Sequence, residues 1–141
     1  MFGAMSNPKA AYGKVGLETK VATASPHELV MMLFDGAMTS ILLARMYLEQ
    51  RAIKEKGEAI GRAIDIIDGG LKASLDHSVG GDLSVHLASL YEYMCTRLLL
   101  ANLRNDPVIL DEVSGLLGEL RGAWAEIGKD PAINYAKRAA A

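Results

Sequence analysis

The chain has 141 residues, and 50% of them are hydrophobic, which is enough apolar side chain to cover one well-buried core. A formal net charge of -2 excludes the broad cationic surface that a phosphate backbone would require, so we expect no nucleic-acid partner. The single cysteine, Cys95, cannot form an internal disulfide, and the first residues show no secretory signal pattern. These features predict one domain in the reducing cytoplasm.

The spacing of apolar residues predicts an all-α domain over residues 12–128. They recur every three or four positions, and no alternating strand pattern persists. Short connections between four long helices favour antiparallel neighbours, so we expect an up-down four-helix bundle. Residues 1–11 are predicted to form a flexible arm and residues 129–141 a loosely ordered tail. Residues 12–21 form an amphipathic run too short to be stable alone, and we expect it to pack across the bundle.

The first long helix is predicted to begin at Pro26, because Ser25 can cap it and Glu28 can reach back to the cap amide. One apolar stripe of this helix is predicted to be core: Leu29, Leu33, Ala37, Ile41, Ala44 and Leu48. A second stripe faces another side: Met31, Phe34, Met38 and Leu42. The helix is long enough to span a membrane, but Asp35 and Arg45 would each cost about 2.5–3.5 kcal/mol near a bilayer centre. We therefore expect no membrane insertion.

Three further helices follow from similar stripes. The stripe of the second helix comprises Ile53, Ile60, Ile64, Ile67, Leu71 and Leu75. Gly80-Gly81 is predicted to break the chain, with Asp82 as the cap of a third helix. Its core stripe comprises Leu83, Leu87, Leu90, Tyr91, Met94, Leu98 and Ala101, and a second side carries His86, Tyr93 and Leu100. The fourth helix is predicted to start at Asp106-Pro107 and end at Gly128. Its stripe comprises Ile109, Val113, Leu116, Leu117, Leu120, Trp124 and Ile127.

The sequence contains no constellation that predicts catalysis or a cofactor. A di-iron bundle would need Glu-x-x-His motifs, which are absent, and Asp82 with His86 supplies only two metal ligands. Cys95 lies among apolar residues without a basic neighbour to activate it, so a buried, unreactive thiol is favoured. The glycine pairs lack the spacing of a phosphate-binding loop. We expect no metal, no nucleotide and no enzymatic activity.

The surplus of apolar surface on the first helix is the unusual feature of this sequence. It is rich in methionine, whose flexible thioether adapts to irregular partners. In one interpretation, the surplus apolar side packs on residues 12–21 or on a second copy of the chain. In the other, it forms a groove for another protein. The two interpretations are compatible if the docked segment can be displaced. Candidate partner-binding residues are Tyr12, Val15, Met31, Phe34, Met38, Leu42, His86, Tyr93 and Leu100.

The block from Thr23 to Ala37, the motif Leu90-Tyr91-Glu92-Tyr93-Met94 and the late Trp124 resemble the FliS family of flagellin export chaperones. Phe34 stands where that family commonly has tyrosine. The resemblance implies a cytoplasmic bundle that binds the disordered carboxy-terminal segment of flagellin, prevents its premature polymerisation and supports its export. It also implies contact with a component of the flagellar export gate. The alternative is a structural or regulatory bundle that self-associates, for example as a homodimer.

Overall fold

A computed structural model describes residues 23–129 of the chain, with the side chains of His77 and Val79 excepted. This part folds into four helices and contains no β-strand: α1 Pro26–Glu49, α2 Ile53–Ile66, α3 His77–Arg104 and α4 Pro107–Ile127. Residues Ile67–Lys72 extend α2 as a π-helical turn. The predicted all-α bundle is confirmed. The predicted arm at 1–11, the segment at 12–21 and residues 130–141 of the predicted tail lie outside the described residues.

Contacts between helix ends show that neighbouring helices are antiparallel. Lys56, in the first turn of α2, donates from Nζ to the carbonyl oxygen of Asn102 near the end of α3, at 2.9 Å. His27 at the start of α1 contacts Trp124 near the end of α4, and Arg45 late in α1 pairs with Asp111 early in α4. The chain therefore runs up and down through the bundle.

The predicted core stripe of α1 is confirmed, and its five buried members belong to the central cluster: Leu29, Leu33, Ala37, Ile41 and Ala44. The second predicted stripe divides instead of forming one surface. Phe34 is buried, Met38 is half-buried against the core, and Leu42 is 63% exposed. Each four-residue step on a 3.6-residue helix turns about 40° beyond a full turn, so the stripe rotates from the core into solvent.

Three predicted core residues at the ends of helices are exposed, which corrects the prediction. Ile53 is 51% exposed at the first residue of α2, Leu83 is 65% exposed near the start of α3, and Ile127 is 45% exposed at the last residue of α4. Ile53 and Ile127 lie in a first or last turn, where the neighbouring helices no longer cover the side chain, and Leu83 lies two residues after the non-helical Gly81. Lys56, which was not predicted as core, is only 2% exposed and occupies the interior beside Ile60 instead.

By length and composition α1 is the one helix of residues 23–129 that could cross a membrane. That observation is weak, because a core helix of a soluble bundle passes the same test. The stripe from Leu29 to Ala44 is covered by the other helices. The hydrophobicity of α1 is therefore explained by its central place in the bundle.

Two of the predicted helix starts are confirmed. Ser25 accepts a hydrogen bond from the Glu28 amide at 3.1 Å while the Glu28 carboxylate accepts from the Ser25 amide at 3.3 Å. Asp106 caps α4, accepting from the Val108 amide at 2.9 Å, and Pro107 takes the first helical position. These reciprocal bonds satisfy amides that a helix start otherwise leaves free.

The predicted break at Gly80-Gly81 is confirmed: Gly81 has the non-helical φ of 55° and ψ of -131°, and α3 continues as a helix from Asp82. A short helical segment before this break was not predicted. Asp76 caps it and accepts from the Ser78 amide at 3.0 Å, six residues before Asp82. The prediction assumed a regular α2 and therefore did not include Asp76, which lies after the π-helical turn, as a helix cap.

Candidate partner-binding groove

An apolar groove of about 240 Å³ lies at one end of the bundle, which we call the groove end. The starts of α1 and α3, the π-helical turn and the last turns of α4 surround it. Its walls are Val30, Phe34, Leu71, Ser74, Leu75, Gly80, Leu83, Ser84, Leu87, Tyr91, Leu120, Ala123, Trp124 and Ile127. Thr23 and Lys129, where the described part of the chain begins and ends, adjoin the helix ends of the same region.

Irregular backbone keeps this groove open. In the π-helical turn, a Cβ added to Gly70 would lie 2.8 Å from Leu33 Cδ2, so glycine lets the turn approach α1 closely. The kink at Gly81 separates the first turn of α3 from the rest of the helix. A Cβ at Gly80 would overlap the Ser84 hydroxyl, which packs into the space that this glycine leaves. Wider helical turns and kinks of this kind frequently accompany functional sites.

The polar groups in the walls are bonded within the protein, which leaves the groove surface apolar. Ser74 donates from Oγ to the Gly70 carbonyl at 2.6 Å, and Ser84 donates from Oγ to the Asp76 carbonyl at 3.2 Å. Burial raises the pKa of Tyr91 to about 12, so its phenol stays neutral. A ligand with apolar side chains would therefore meet neither a free serine hydroxyl nor a charged phenolate at these residues.

Trp124 is a wall residue of the groove, and His27 packs against it. Their rings stack with centroids 5.1 Å apart and planes 9° from parallel. Trp124 donates from Nε1 to the carbonyl oxygen of His27 at 3.0 Å, and His27 Nε2 lies 2.7 Å from the carbonyl oxygen of Trp124. The start of α1 and the end of α4 are thus joined by two hydrogen bonds and a stack.

Among the predicted binding residues, Phe34 alone lines this groove. It is 2% exposed, so its ring closes the floor and a tyrosine hydroxyl there would need a buried partner. Met31 is half-buried on α1, and the methyl group of Met38 would touch a Cβ on Gly118 of α4 at 3.6 Å. Leu42 lies farther along α1 in solvent. Tyr12 and Val15 lie outside the described residues.

The other three predicted residues lie away from the groove. His86 and Tyr93 are exposed and Leu100 is half-buried on α3. Tyr93 donates a short hydrogen bond from its hydroxyl to Glu112 of α4, which also accepts from Arg97 Nε at 2.8 Å. These bonds from Tyr93 and Arg97 hold the pKa of the Glu112 carboxyl below its usual range. Tyr93 therefore joins α3 to α4.

Most groove residues were predicted as core and not as a binding surface. Leu75, Leu83, Leu87, Tyr91, Leu120, Trp124 and Ile127 all belong to the predicted core stripes. The sequence feature that could have located the groove is that the ends of several core stripes lie close to the Gly80-Gly81 break. A bundle that opens at one end exposes the last members of several stripes at once.

Three other features of the described residues bear on metal binding, thiol reactivity and a second cleft. No group of three His, Cys, Asp or Glu side chains within residues 23–129 is arranged to hold a metal. Burial is the main cause that raises the pKa of the Cys95 thiol to about 11, which disfavours the reactive thiolate. A wider, more polar cleft of about 700 Å³ lies between α1 and α2, where Arg62 and Glu58 face solvent.

Comparison with known proteins places this architecture in a family. The family model of the flagellar protein FliS matches residues 7–131. This chain belongs to the FliS family. The match includes all four helices and every wall residue of the groove, and it confirms the resemblance inferred from the Thr23–Ala37 block and the Leu90–Met94 motif.

Relatives from distant bacteria share most of the chain. The flagellar secretion chaperone FliS of Salmonella typhimurium is 51% identical over 117 residues, which cover 83% of this chain and 87% of the relative. The flagellar secretion chaperone FliSB of Pseudomonas aeruginosa is 46% identical over 113 residues, or 80% and 89% of the two chains. The FliS of Bacillus subtilis is 35% identical over 123 residues, which is 87% of each chain. The relatives in this family are named as chaperones of flagellar secretion.

Proposed function

We propose that this chain is a cytoplasmic secretion chaperone, without enzymatic activity, that binds the carboxy-terminal segment of flagellin. It prevents premature polymerisation of flagellin and delivers it to a component of the flagellar export gate. The observation that supports this proposal is the apolar groove with internally bonded polar walls, in a chain whose relatives are named flagellar secretion chaperones.

The chemistry of the groove suits an amphipathic segment that folds on binding. A disordered chain can place apolar side chains from one helical face into a hydrophobic groove and wrap further along the partner. A volume of about 240 Å³ holds a few anchoring side chains and not a whole helix. The exposed rim residues Leu83 and Ile127 would gain cover when such anchors enter.

The remaining predicted residues extend this proposal along the bundle. A segment that leaves the groove along α1 would meet Met31, Met38 and Leu42, and one that follows α3 would meet His86, Tyr93 and Leu100. Tyr12 and Val15 are proposed to contact the groove from the amino-terminal side, as a cover that flagellin displaces. Wrapping of this kind buries more surface than the groove alone offers.

Calorimetry with the full chain and a peptide of the flagellin carboxy-terminal segment tests the proposal. We expect one peptide per chain and a negative heat-capacity change, because apolar surface is buried. A dissociation constant in or below the range of tens of micromolar corresponds to at least roughly 6 to 7 kcal/mol of binding free energy. Failure to bind at that concentration would overturn the proposal.

Self-association is the alternative function, and exposed side chains at the opposite end of the bundle favour it. Leu99, Leu103 and Val108 are 60%, 80% and 72% exposed there. Light scattering across a hundredfold concentration range distinguishes the two functions. A stable homodimer that does not bind the flagellin peptide would support the alternative, whereas a monomer that binds it would support the chaperone.

A further inference from the structure

We infer that His27 and Gly128 are positioning residues that hold Trp124 as a preformed wall of the groove. The inference rests on the proposed function, because it concerns how the same groove receives its segment. His27 and Gly128 are not themselves wall residues of the groove, whereas Trp124 is. Their effect on a bound segment would therefore act through the indole.

The hydrogen bond to the Trp124 carbonyl identifies Nε2 of His27 as its donor atom. A carbonyl oxygen only accepts, so His27 must carry a proton on Nε2 to bond the Trp124 carbonyl at 2.7 Å. The indole in turn donates from Nε1 to the His27 carbonyl at 3.0 Å. Each residue thus gives one side-chain N–H to the backbone of the other, and the near-parallel stack at 5.1 Å lies between these bonds. Rotation of the indole would break both the stack and the Nε1 bond.

The space around Gly128 supports the inference independently of these hydrogen bonds. Its φ of -64° and ψ of -15° are ordinary helical values, so backbone conformation does not require glycine there. A Cβ at this position would instead overlap the His27 ring. The glycine at the end of α4 therefore leaves the space in which the imidazole lies flat on Trp124.

Holding the indole still matters for binding because an immobilised side chain has no rotamer freedom left to lose. Ordering a mobile side chain at an interface costs about 0.5–1.5 kcal/mol, which is roughly a two- to tenfold change in affinity. Trp124 is the single tryptophan of the chain, so its fluorescence reports on this wall alone. The same residue can therefore be observed in the free and in the bound protein.

The first measurement is time-resolved fluorescence anisotropy of Trp124 in the free full-length protein. We expect fast local motion of the indole to increase in His27→Ala, which removes the stack, and in Gly128→Ala, which displaces the ring. Lys54→Ala is the control, because Lys54 is exposed in the first turn of α2, at the end of the bundle opposite the groove. Equal indole motion in the wild type, His27→Ala and Gly128→Ala would overturn the inference.

The second measurement is the affinity for the flagellin carboxy-terminal peptide in the same variants. We expect it to fall roughly two- to tenfold in His27→Ala and Gly128→Ala and to stay unchanged in Lys54→Ala. His27→Phe, which stacks, should recover more affinity than His27→Ala. Greater indole motion with unchanged affinity would overturn the positioning role. Absence of peptide binding to the wild type would overturn the proposed function, while the anisotropy still decides whether His27 and Gly128 hold Trp124.

Discussion

The two ends of the bundle satisfy their polar groups in different ways. At the end opposite the groove, which we call the Lys56 end, residue Lys56 is 2% exposed and its ammonium donates to the Asn102 carbonyl at 2.9 Å and to Asn105 Oδ1 at 2.6 Å. A long side chain from α2 thereby closes the end of α3. At the groove end, wall hydroxyls bond the backbone of their own segments, and the space between helices remains open.

We propose from this difference that the Lys56 end serves stability and the groove end serves a partner. Lys56 fills its end with a cation that both bonds and neutralises the carbonyl-rich carboxy terminus of α3. The groove end instead has a π-helical turn and the kink at Gly81, which leave apolar side chains half covered. A change at the Lys56 end should therefore alter stability, and a change at the groove rim should alter binding.

The largest effect on stability is expected for Lys56→Ala. The substitution removes two hydrogen bonds from a charged donor and takes this donor from the Asn102 carbonyl and Asn105 Oδ1, at a cost of about 3 kcal/mol. Urea unfolding measures the loss, and Lys54→Ala on the exposed face of α2 is the matched control. A change below about 0.5 kcal/mol, the size of an ordinary surface substitution, would show that the Lys56 end is not closed in this way.

A pair of glycine substitutions separates the kink from ordinary helix. Gly81 has φ 55° and ψ -131°, where an added side chain is strained, so Gly81→Ala should cost about 1–3 kcal/mol. Gly122→Ala, in the regular part of α4 with open space around it, should stabilise the protein by about 0.5–1 kcal/mol. Thermal unfolding of both variants checks the opposite signs. Stabilisation by Gly81→Ala would mean that the kink at the groove end is not required by the fold.

Alkaline pH should weaken the groove end through Tyr91. Burial raises its pKa from 10.0 to about 12, so its contribution to stability is complete below pH 10 and is lost as the pH rises through 12. At pH 11 the loss from this residue is about 1.4 kcal/mol, because one pKa unit corresponds to about 1.4 kcal/mol. Cys95 contributes in the same direction, with a pKa raised to about 11. The test is therefore the difference in unfolding free energy between wild type and Tyr91→Phe from pH 9 to 11, and an unchanged slope would contradict it.

The smallest effect concerns residues 12–21, which we propose to cover the groove in the free protein. Deleting the residues before Val21 should tighten flagellin binding about two- to fivefold or speed association, since less of the protein is then in a covered state. Surface plasmon resonance measures both rates. If Tyr12 instead contacts flagellin directly, Tyr12→Ala and the deletion will both weaken binding without faster association, and the cover must be abandoned.

Local sequence signals predicted the helices because they depend on nearby residues. The Ser25 to Glu28 capping box and the Leu29 to Ala44 stripe span one helix, where spacing alone fixes the geometry. The burial of Lys56 could not be predicted in this way, because its acceptor Asn105 lies 49 residues away. The stack of His27 on Trp124 joins residues that are 97 positions apart. Near Trp124 in the sequence, only Gly128 reflects this stack, because a larger residue there would overlap the His27 ring.

The groove was missed because it depends on irregular backbone. Regular helical spacing places Leu83 and Ile127 on core stripes, but Leu83 follows the break at Gly81 and Ile127 is the last residue of α4, and both are exposed. A partner surface was expected from the methionines of α1, yet Phe34 alone of the predicted set reached the groove. The sequence indicated surplus apolar surface but not where the backbone would open.

The central claim, that the groove end and not the Lys56 end binds flagellin, is tested most directly by two matched charge substitutions. Leu83→Glu and Leu103→Glu both place a carboxylate at an exposed leucine of α3, one at the groove rim and one near the Lys56 end. In calorimetric titrations with the flagellin carboxy-terminal peptide, Leu83→Glu should weaken binding about tenfold or more, because a charge would be buried against apolar anchors, while Leu103→Glu should bind like wild type. Equal affinities for the two variants, or a loss confined to Leu103→Glu, would contradict the account.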